Sequence, residues 1–316
     1  MLKNKNCLVT GCAGFIGSHL TEKLLALDCP VIGLDSFTDY YRREIKESNL
    51  AAIKNNPKFT LVEKDLSTAN LSRILEDVDY IFHQAAQAGV RASWGGQFSH
   101  YLQSNVAATQ NLLEAAKAFP IKKIVYASSS SIYGDSPLPM KEGNVLCPVS
   151  PYGVTKLAAE NLCYLYWKNF KVPVVSLRYF TVFGPRQRPD MGIYKFINAA
   201  LQGEKIRVYG DGKQTRDFTF ISDIVQANLA AAEIGQPGLA MNIGGGSQIT
   251  INEVLSLIES MTGKKLQLEY LTKAKGDVQD TLADINLAKE SINYNPTCSF
   301  KEGLKQQIDY LKLLLK

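Results

Sequence analysis

Tyr152 and Lys156 stand four residues apart, directly after Ser150 and Pro151. Serine is a favoured helix N-cap, and proline fits the first helical position, where its missing N–H is not needed. Tyr152 is therefore expected in the first turn of a helix with Lys156 one turn on, so that phenol and ammonium share a face. A free tyrosine titrates near pH ~10, and both a nearby cation and the positive end of a helix favour its phenolate. Such a pair can take a proton from an alcohol near neutral pH. By itself Y-x-x-x-K also fits an amphipathic helix with an exposed lysine and a half-buried tyrosine, so the pattern needs other residues beside it.

The first of these lie in Thr10-Gly11-Cys12-Ala13-Gly14-Phe15-Ile16-Gly17. A short apolar strand is expected over 5–10. A helix should open after it, with Phe15, Ile16, Leu20, Leu24 and Leu25 on its apolar face. Glycines spaced like Gly11, Gly14 and Gly17 allow a tight turn and a close backbone approach, and the helix N-terminus then meets a pyrophosphate. A second strand, 31–35, ends in Asp35, where an acid hydrogen-bonds an adenosine ribose. No arginine directly follows it, which favours NAD over NADP.

These residues need a scaffold. Further strands are expected over 59–63, 78–83 and 123–127, alternating with helices, the longest from about 97 to 117. The pattern predicts an α/β fold of Rossmann type, a doubly wound parallel sheet covered on both faces, with ligands beyond the C-terminal strand ends. Asp65, beside Leu66, either binds the adenine amino group or caps the next helix. The segment 84–91, with Ala85, Gln87 and Arg91, carries small residues that let backbone lie close to a ligand or simply pack. His83 reads as a satisfied core histidine rather than a catalyst. The run Ser128-Ser129-Ser130-Ser131 follows the fifth strand. Ser129 or Ser130 there can hydrogen-bond a reacting alcohol and relay its proton to Tyr152, or the run is only a polar exit from the strand.

The 316 residues are 46% hydrophobic and 21% charged, an ordinary globular balance in which core size is not limiting. A net charge of +5 without blocks of like sign does not imply nucleic acid and suits an anionic small molecule. The six cysteines are scattered without C-x-x-C spacing, which reads as free thiols in a reducing cytoplasm and no zinc or other metal. The apolar run near Cys7 is too short for a signal peptide, and no run is long enough to span a membrane.

Taken together, these residues resemble the extended short-chain dehydrogenase/reductase superfamily and, within it, the NAD-dependent nucleotide-sugar epimerase/dehydratase family. The resemblance rests on the glycine loop, Asp35, the serine run with Tyr133-Gly134, and Tyr152/Lys156. It rests equally on Leu177-Arg178-Tyr179-Phe180-Thr181-Val182-Phe183-Gly184-Pro185-Arg186-Gln187 and on Gly210-Asp211-Gly212-Lys213-Gln214-Thr215-Arg216-Asp217-Phe218. It implies bound NAD, with Tyr179 among the cofactor contacts. The implied division is an NAD-binding Rossmann domain over 1–179, to which about 218–242 returns, and a smaller nucleotide-sugar domain over 180–316. Arg216 would meet the diphosphate and Asp277 the nucleotide ribose. The family often has an arginine upstream of this Gly-Asp, where Ala274 and Lys275 stand here.

The implied chemistry is removal of the 4-hydroxyl proton by Tyr152, helped by a serine hydroxyl, with hydride transfer from C4 to NAD. Dehydratases of the family carry an Asp-Glu pair where this chain has Ser130-Ser131, so elimination lacks its acid and base. Epimerisation needs nothing further. Segments 84–94 and 184–191 look like the UDP-glucuronic acid 4-epimerase branch. Arg91 is a further candidate contact to substrate, and Ser129, Ser130, Thr181, Arg188 and Lys195 are candidate donors to a substrate carboxylate. The expected reaction is UDP-glucuronate to UDP-galacturonate. A neutral UDP-hexose or UDP-N-acetylhexosamine is the alternative, and a non-catalytic sensor of NAD or nucleotide sugar is the reading from another class. The resemblance also implies a homodimer through helices near 97–117 and 151–169, where Leu157, Leu162, Leu165 and Trp167 could supply apolar contact. Short helices are expected over 250–261, 284–290 and 301–315, the last as core packing rather than a membrane anchor.

Overall fold

Strand and helix alternate through the first half of the chain in the computed structural model, which describes residues 2–315. The order is β1 (Cys7–Thr10), α1 (Phe15–Ala26), β2 (Val31–Asp35), α2 (Arg43–Leu50), β3 (Phe59–Glu63), α3 (Ser72–Leu75) and β4 (Tyr80–His83). A long helical stretch follows as α4 (Phe98–Tyr101), a π-helical segment (Leu102–Ala107) and α5 (Ala108–Ala116). The helix expected as one regular element is thus wider in its middle, where buried Asn105 bonds Gln87 main chain and the Thr155 hydroxyl. β5 (Lys123–Ser129) runs two residues beyond the expected strand end and so carries Ser128 and Ser129 within it. α6 (Pro151–Phe170) and β6 (Val174–Tyr179) come next.

The main sheet has the order β3-β2-β1-β4-β5-β6 and then one strand from far along the chain. Every neighbouring pair is parallel. β1 and β6 are buried along their whole length, as parallel strands covered on both faces must be. Successive side chains point to opposite faces, so Leu8 joins one apolar core with Ile81 and Ile124, and Val9 joins the other with Phe82 and Val125. Strand order reverses between β1 and β4, and a crevice opens there beyond the strand ends.

The second half contributes β7 (Thr181–Phe183), α7 (Gly192–Gln202), β8 (Lys205–Tyr209), β9 (Thr215–Phe220), α8 (Ile221–Ile234), β10 (Ala240–Ile243), β11 (Gln248–Thr250), α9 (Ile251–Thr262), β12 (Gln267–Leu271), α10 (Asn286–Ile292) and α11 (Phe300–Leu314). β10 is the far strand, parallel to β6, and α8 packs on α1, β5 and β6. Two smaller sheets stand apart: β11-β9-β7, and the parallel pair β8 and β12. The rings of Phe183, Phe218, Phe220 and Phe300 bind β7 and β9 to α11. Capping boxes, Thr250 with Glu253 and Ser299 with Glu302, start α9 and α11 by satisfying first-turn N–H groups.

Candidate active site

Gly11 has φ of +70°, and a Cβ there would stand 2.8 Å from the Ala85 nitrogen, so the loop after β1 and the chain after β4 touch backbone to backbone. At Gly17 a Cβ would lie 2.0 Å from the Gly11 oxygen. Only glycine permits this packing of loop against helix. Gly14 is the N-cap of α1 and offers no side chain to its N–H groups, and the first turn holds no acid. The N–H groups of Phe15, Ile16 and Gly17 are thus free for an anion in the adjoining cleft, whose lining includes Gly11, Gly14, Phe15, Ile16 and Gly17. The Asp35 carboxylate is pinned at the end of β2, accepting from Ala13 N at 3.1 Å and Phe37 N at 2.8 Å. Asp65 and Leu66 line the same cleft from the end of β3. The Asp65 carboxylate also accepts from Ser67 N and Oγ at 2.8 and 2.7 Å, so it holds its own turn while facing the cleft.

Ala85 and Gln87 border the cleft after β4, and Tyr179 does so at the end of β6. The Tyr179 hydroxyl exchanges hydrogen bonds with Asn228 on α8 and donates to Gln84 at 3.2 Å. His83 is fully enclosed, with a ring nitrogen on each of Thr10 Oγ1 (2.8 Å) and Thr109 Oγ1 (2.9 Å), and burial lowers it to about 3. It is a core histidine, as its sequence position suggested.

The Ser150 hydroxyl accepts from Gly153 N at 3.1 Å and starts α6, with Pro151 in its first turn. Tyr152 and Lys156 then both face the cleft. The Ser129 hydroxyl lies beside the Tyr152 phenol and favours its ionisation, whereas Ser130 opens a short turn over 130–132. Of the two candidate serines, the fold brings Ser129 to the phenol. Burial pushes the phenol above its ordinary value, against the contrary pull of Ser129 and of the Arg188 charge. Lys156 donates to the Ala127 carbonyl and lies 4.4 Å from the Tyr126 ring centroid. Burial lowers it to about 8, against the opposing influence of Cys163 and Glu160. Here desolvation outweighs charge, and Ser129 and Arg188 are the groups that favour ionisation.

Arg188 reaches the same cleft from the loop after β7. It is paired with Asp190 through two bonds of 2.9 and 3.0 Å, and Tyr40 donates to that carboxylate at 3.2 Å. Thr181, at the start of β7, and Lys195, exposed on α7, lie outside the cleft lining.

A second cluster gathers residues from separate loops. Arg91 forms an ion pair with Asp277 at 2.6 Å and lies 4.0 Å from the Tyr209 ring centroid. Arg216 donates to the carbonyls of Thr215, Val278 and Gln279 at 2.7–3.0 Å. Burial depresses its guanidinium, and Asp277 supports the charge. A Cβ on Gly276 would stand 3.4 Å from Ser150 Cβ, so the 276–280 segment runs against the N-cap of α6. This brings Arg91, Arg216 and Asp277 toward the helix that bears Tyr152. Sequence reasoning missed Tyr40, Tyr41 and Lys46, which line the same cleft, and Tyr209. No periodicity or short motif marks them: Tyr40 and Tyr209 meet Asp190 and Arg91 from far along the chain, and Tyr41, in the irregular stretch after β2, packs on Lys46.

The model of the NAD dependent epimerase/dehydratase family matches residues 7–244. The uncharacterised UDP-glucose epimerase YtcB of Bacillus subtilis is 45% identical over 97% of this chain and 98% of its own length. The UDP-glucuronate 4-epimerase of Thermodesulfobacterium geofontis is 41% identical over 96% and 95%. Among solved structures, UDP-glucuronic acid 4-epimerase from Bacillus cereus in complex with UDP-glucuronic acid and NAD superposes with a TM-score of 0.96 at 42% identity, covering 98% of this chain and 99% of that one.

Proposed function

The chain belongs to the NAD-dependent epimerase/dehydratase family, and on that premise we propose that it interconverts UDP-glucuronate and UDP-galacturonate by epimerisation at C4. The observation that carries this reading is that Tyr152 and Lys156 face the glycine-loop cleft with the Ser129 hydroxyl beside the phenol, and with serines rather than carboxylates at 130 and 131. A proton acceptor and its relay are present, and the acid and base of an elimination are not.

The cleft fits a dinucleotide. The uncapped first turn of α1 holds the pyrophosphate, Asp35 the adenosine ribose, and Asp65 and Leu66 the adenine, with Ala85, Gln87, Lys156 and Tyr179 along the remainder. When bound, NAD supplies reversible acceptance of the C4 hydride. Tyr152 takes the O4 proton through Ser129, and the sugar becomes a 4-ketone. Arg216 and Arg91 hold the diphosphate and Asp277 the uridine ribose while the keto sugar turns over. The hydride then returns to the other face of C4, and Tyr152 gives the proton back to O4. The division proposed is an NAD-holding part over 1–179 with about 218–242, and a nucleotide-sugar part over the rest. The pairing of β10 with β6 supports it.

For the carboxylate the candidates are Ser129, Ser130, Thr181, Arg188 and Lys195. Arg188 shares the cleft with Tyr152, which favours it. A neutral UDP-hexose is the second reading, favoured because Asp190 already counters the Arg188 charge and because the Bacillus subtilis relative is named for UDP-glucose. Incubating the protein with each UDP-sugar, with and without added NAD, and resolving products by NMR tests both. UDP-galacturonate formed from UDP-glucuronate without added NAD is the expected result. Turnover confined to a neutral sugar replaces the substrate, and silence with every sugar despite bound NAD favours a sensor.

We also propose a homodimer through the helices near 97–117 and 151–169. Their exposed Leu102, Val154, Tyr164, Leu165 and Phe170 support it, and light scattering checks it. Among the described residues no helix is long and apolar enough to cross a membrane. The six free cysteines favour a cytoplasmic setting.

A further inference from the structure

α6 meets the end of β5 through three residues one turn apart. Tyr152 stands beside the Ser129 hydroxyl, Lys156 donates to the Ala127 carbonyl, and Glu160 accepts from Ser128 Oγ at 2.5 Å. Side chains at i, i+4 and i+8 of one helix face thus engage three consecutive strand residues. The buried face of α6 includes Gly153, Thr155, Ala159 and Cys163. Gly153 packs closely on the Ser131 carbonyl and Asn105 bonds Thr155; farther along, the buried side chains are small, and the polar contacts to β5 join these in setting the register of the helix.

Glu160 is the contact farthest from the chemistry, and the most heavily braced. It is 6% exposed and faces Arg178, 5% exposed, which sits directly opposite Ser128 in the β5–β6 register. Arg178 donates to Glu160 through Nε (3.1 and 3.2 Å) and Nη2 (2.6 Å), and through Nη1 to the Tyr133 hydroxyl at 2.7 Å. That hydroxyl donates to Asn242 on β10 at 2.7 Å, and Asn242 donates to the carbonyls of Met140 and Asp284. The pair is therefore tied to three strands at once. Neither residue lines the cleft. Burying an ion pair this deeply is a poor source of stability, since well-packed apolar residues often serve as well.

We propose that Glu160 and Arg178 are positioning residues that hold the Tyr152 phenol in register with Ser129 by fixing α6 against β5. This rests on the reading of Tyr152 as the base. Glu160→Met with Arg178→Met replaces the pair by apolar side chains and leaves no unpaired buried charge. The expected result is a melting temperature close to the parent, a KM for the UDP-sugar within about two-fold, and a kcat reduced about 100-fold, the scale of an ångström-sized misplacement. The Tyr152 phenol, followed by carbon-13 NMR of labelled tyrosine and assigned by its loss in Tyr152→Phe, should titrate at a shifted pH. Ser128→Ala, which leaves the ion pair in place, is the second variant should the double one not fold. It should lower kcat several-fold and move the same signal, and Ser128→Thr should restore both. Parental kcat in a well-folded double variant, or an unmoved Tyr152 titration in the folded variants, overturns the proposal. Turnover retained in Tyr152→Phe would instead sink the assignment of the base, and the NMR signal would still judge the positioning.

Discussion

The two ends of the site are built in different ways. At the strand ends, Ser129, Tyr152 and Lys156 sit on regular elements, a strand and a helix whose contacts repeat turn by turn. Lys156 is 3% exposed and Ser129 8%. At the end proposed for the nucleotide, Arg91, Arg216 and Asp277 come from loops or a strand start, and the Arg91 side chain keeps half its surface in water. Arg216 is held by main-chain carbonyls of the 278–279 segment rather than by a helix or sheet partner. Chemistry that needs sub-ångström alignment stands on rigid, dry elements. The charges proposed to meet a diphosphate come instead from irregular segments, with the Arg91 side chain half in water and Arg216 partly buried against main-chain carbonyls.

The largest test of that contrast is Tyr152→Phe. It should lower turnover about 1,000-fold or more while NAD and the UDP-sugar still bind, as product NMR and cofactor content will report. Unchanged turnover would remove Tyr152 from its role. Acid should strike the strand-end region in a defined window. His83 is lowered to about 3 by burial, below its unfolded value near ~6.5, so the stability it contributes is complete above pH ~6.5 and drains as pH falls toward 3. Nitrogen-15 NMR should find its ring neutral at pH ~5, with unfolding free energy declining below pH ~6.5. A ring that titrates near its ordinary value would contradict this enclosure.

The nucleotide end should respond in affinity rather than in chemistry. Arg216→Leu is expected to weaken UDP binding about 10- to 100-fold by calorimetry, with kcat changed far less, because the interaction lost is a charge-assisted one made equally in ground and transition states. A loss confined to kcat would break the division between the two ends. The smallest effect belongs to the half-exposed Arg91–Asp277 pair. Asp277→Asn should change UDP affinity only a few-fold, and the difference from the parent should shrink as salt rises.

The serine run shows how far the linear pattern reaches. It placed hydroxyls at the end of β5, and it could not choose between Ser129 and Ser130. That choice depends on the strand continuing to residue 129 before the chain turns at 130. The glycine loop, Asp35 and the Tyr152/Lys156 spacing were legible because each is a local device, with partners a few residues away or at a strand end. Glu160 stands four residues after Lys156, yet nothing in the sequence singled it out, because its meaning needs Arg178 beside it. Tyr40 and Tyr209 left no trace, because their contacts with Asp190 and Arg91 span the fold, and Lys46 left none although its partners Thr38 and Tyr41 are near in sequence.

Local periodicity, caps and glycine spacing were therefore enough to specify a parallel α/β sheet, its glycine loop and a helix bearing Tyr152 and Lys156, all interactions set within a few residues. The state of the phenol was not among them. Whether Tyr152 meets the Lys156 charge or the Ser129 hydroxyl depends on which groups burial brings together and how much water it removes. Desolvation and long-range pairing exist only once the chain has packed.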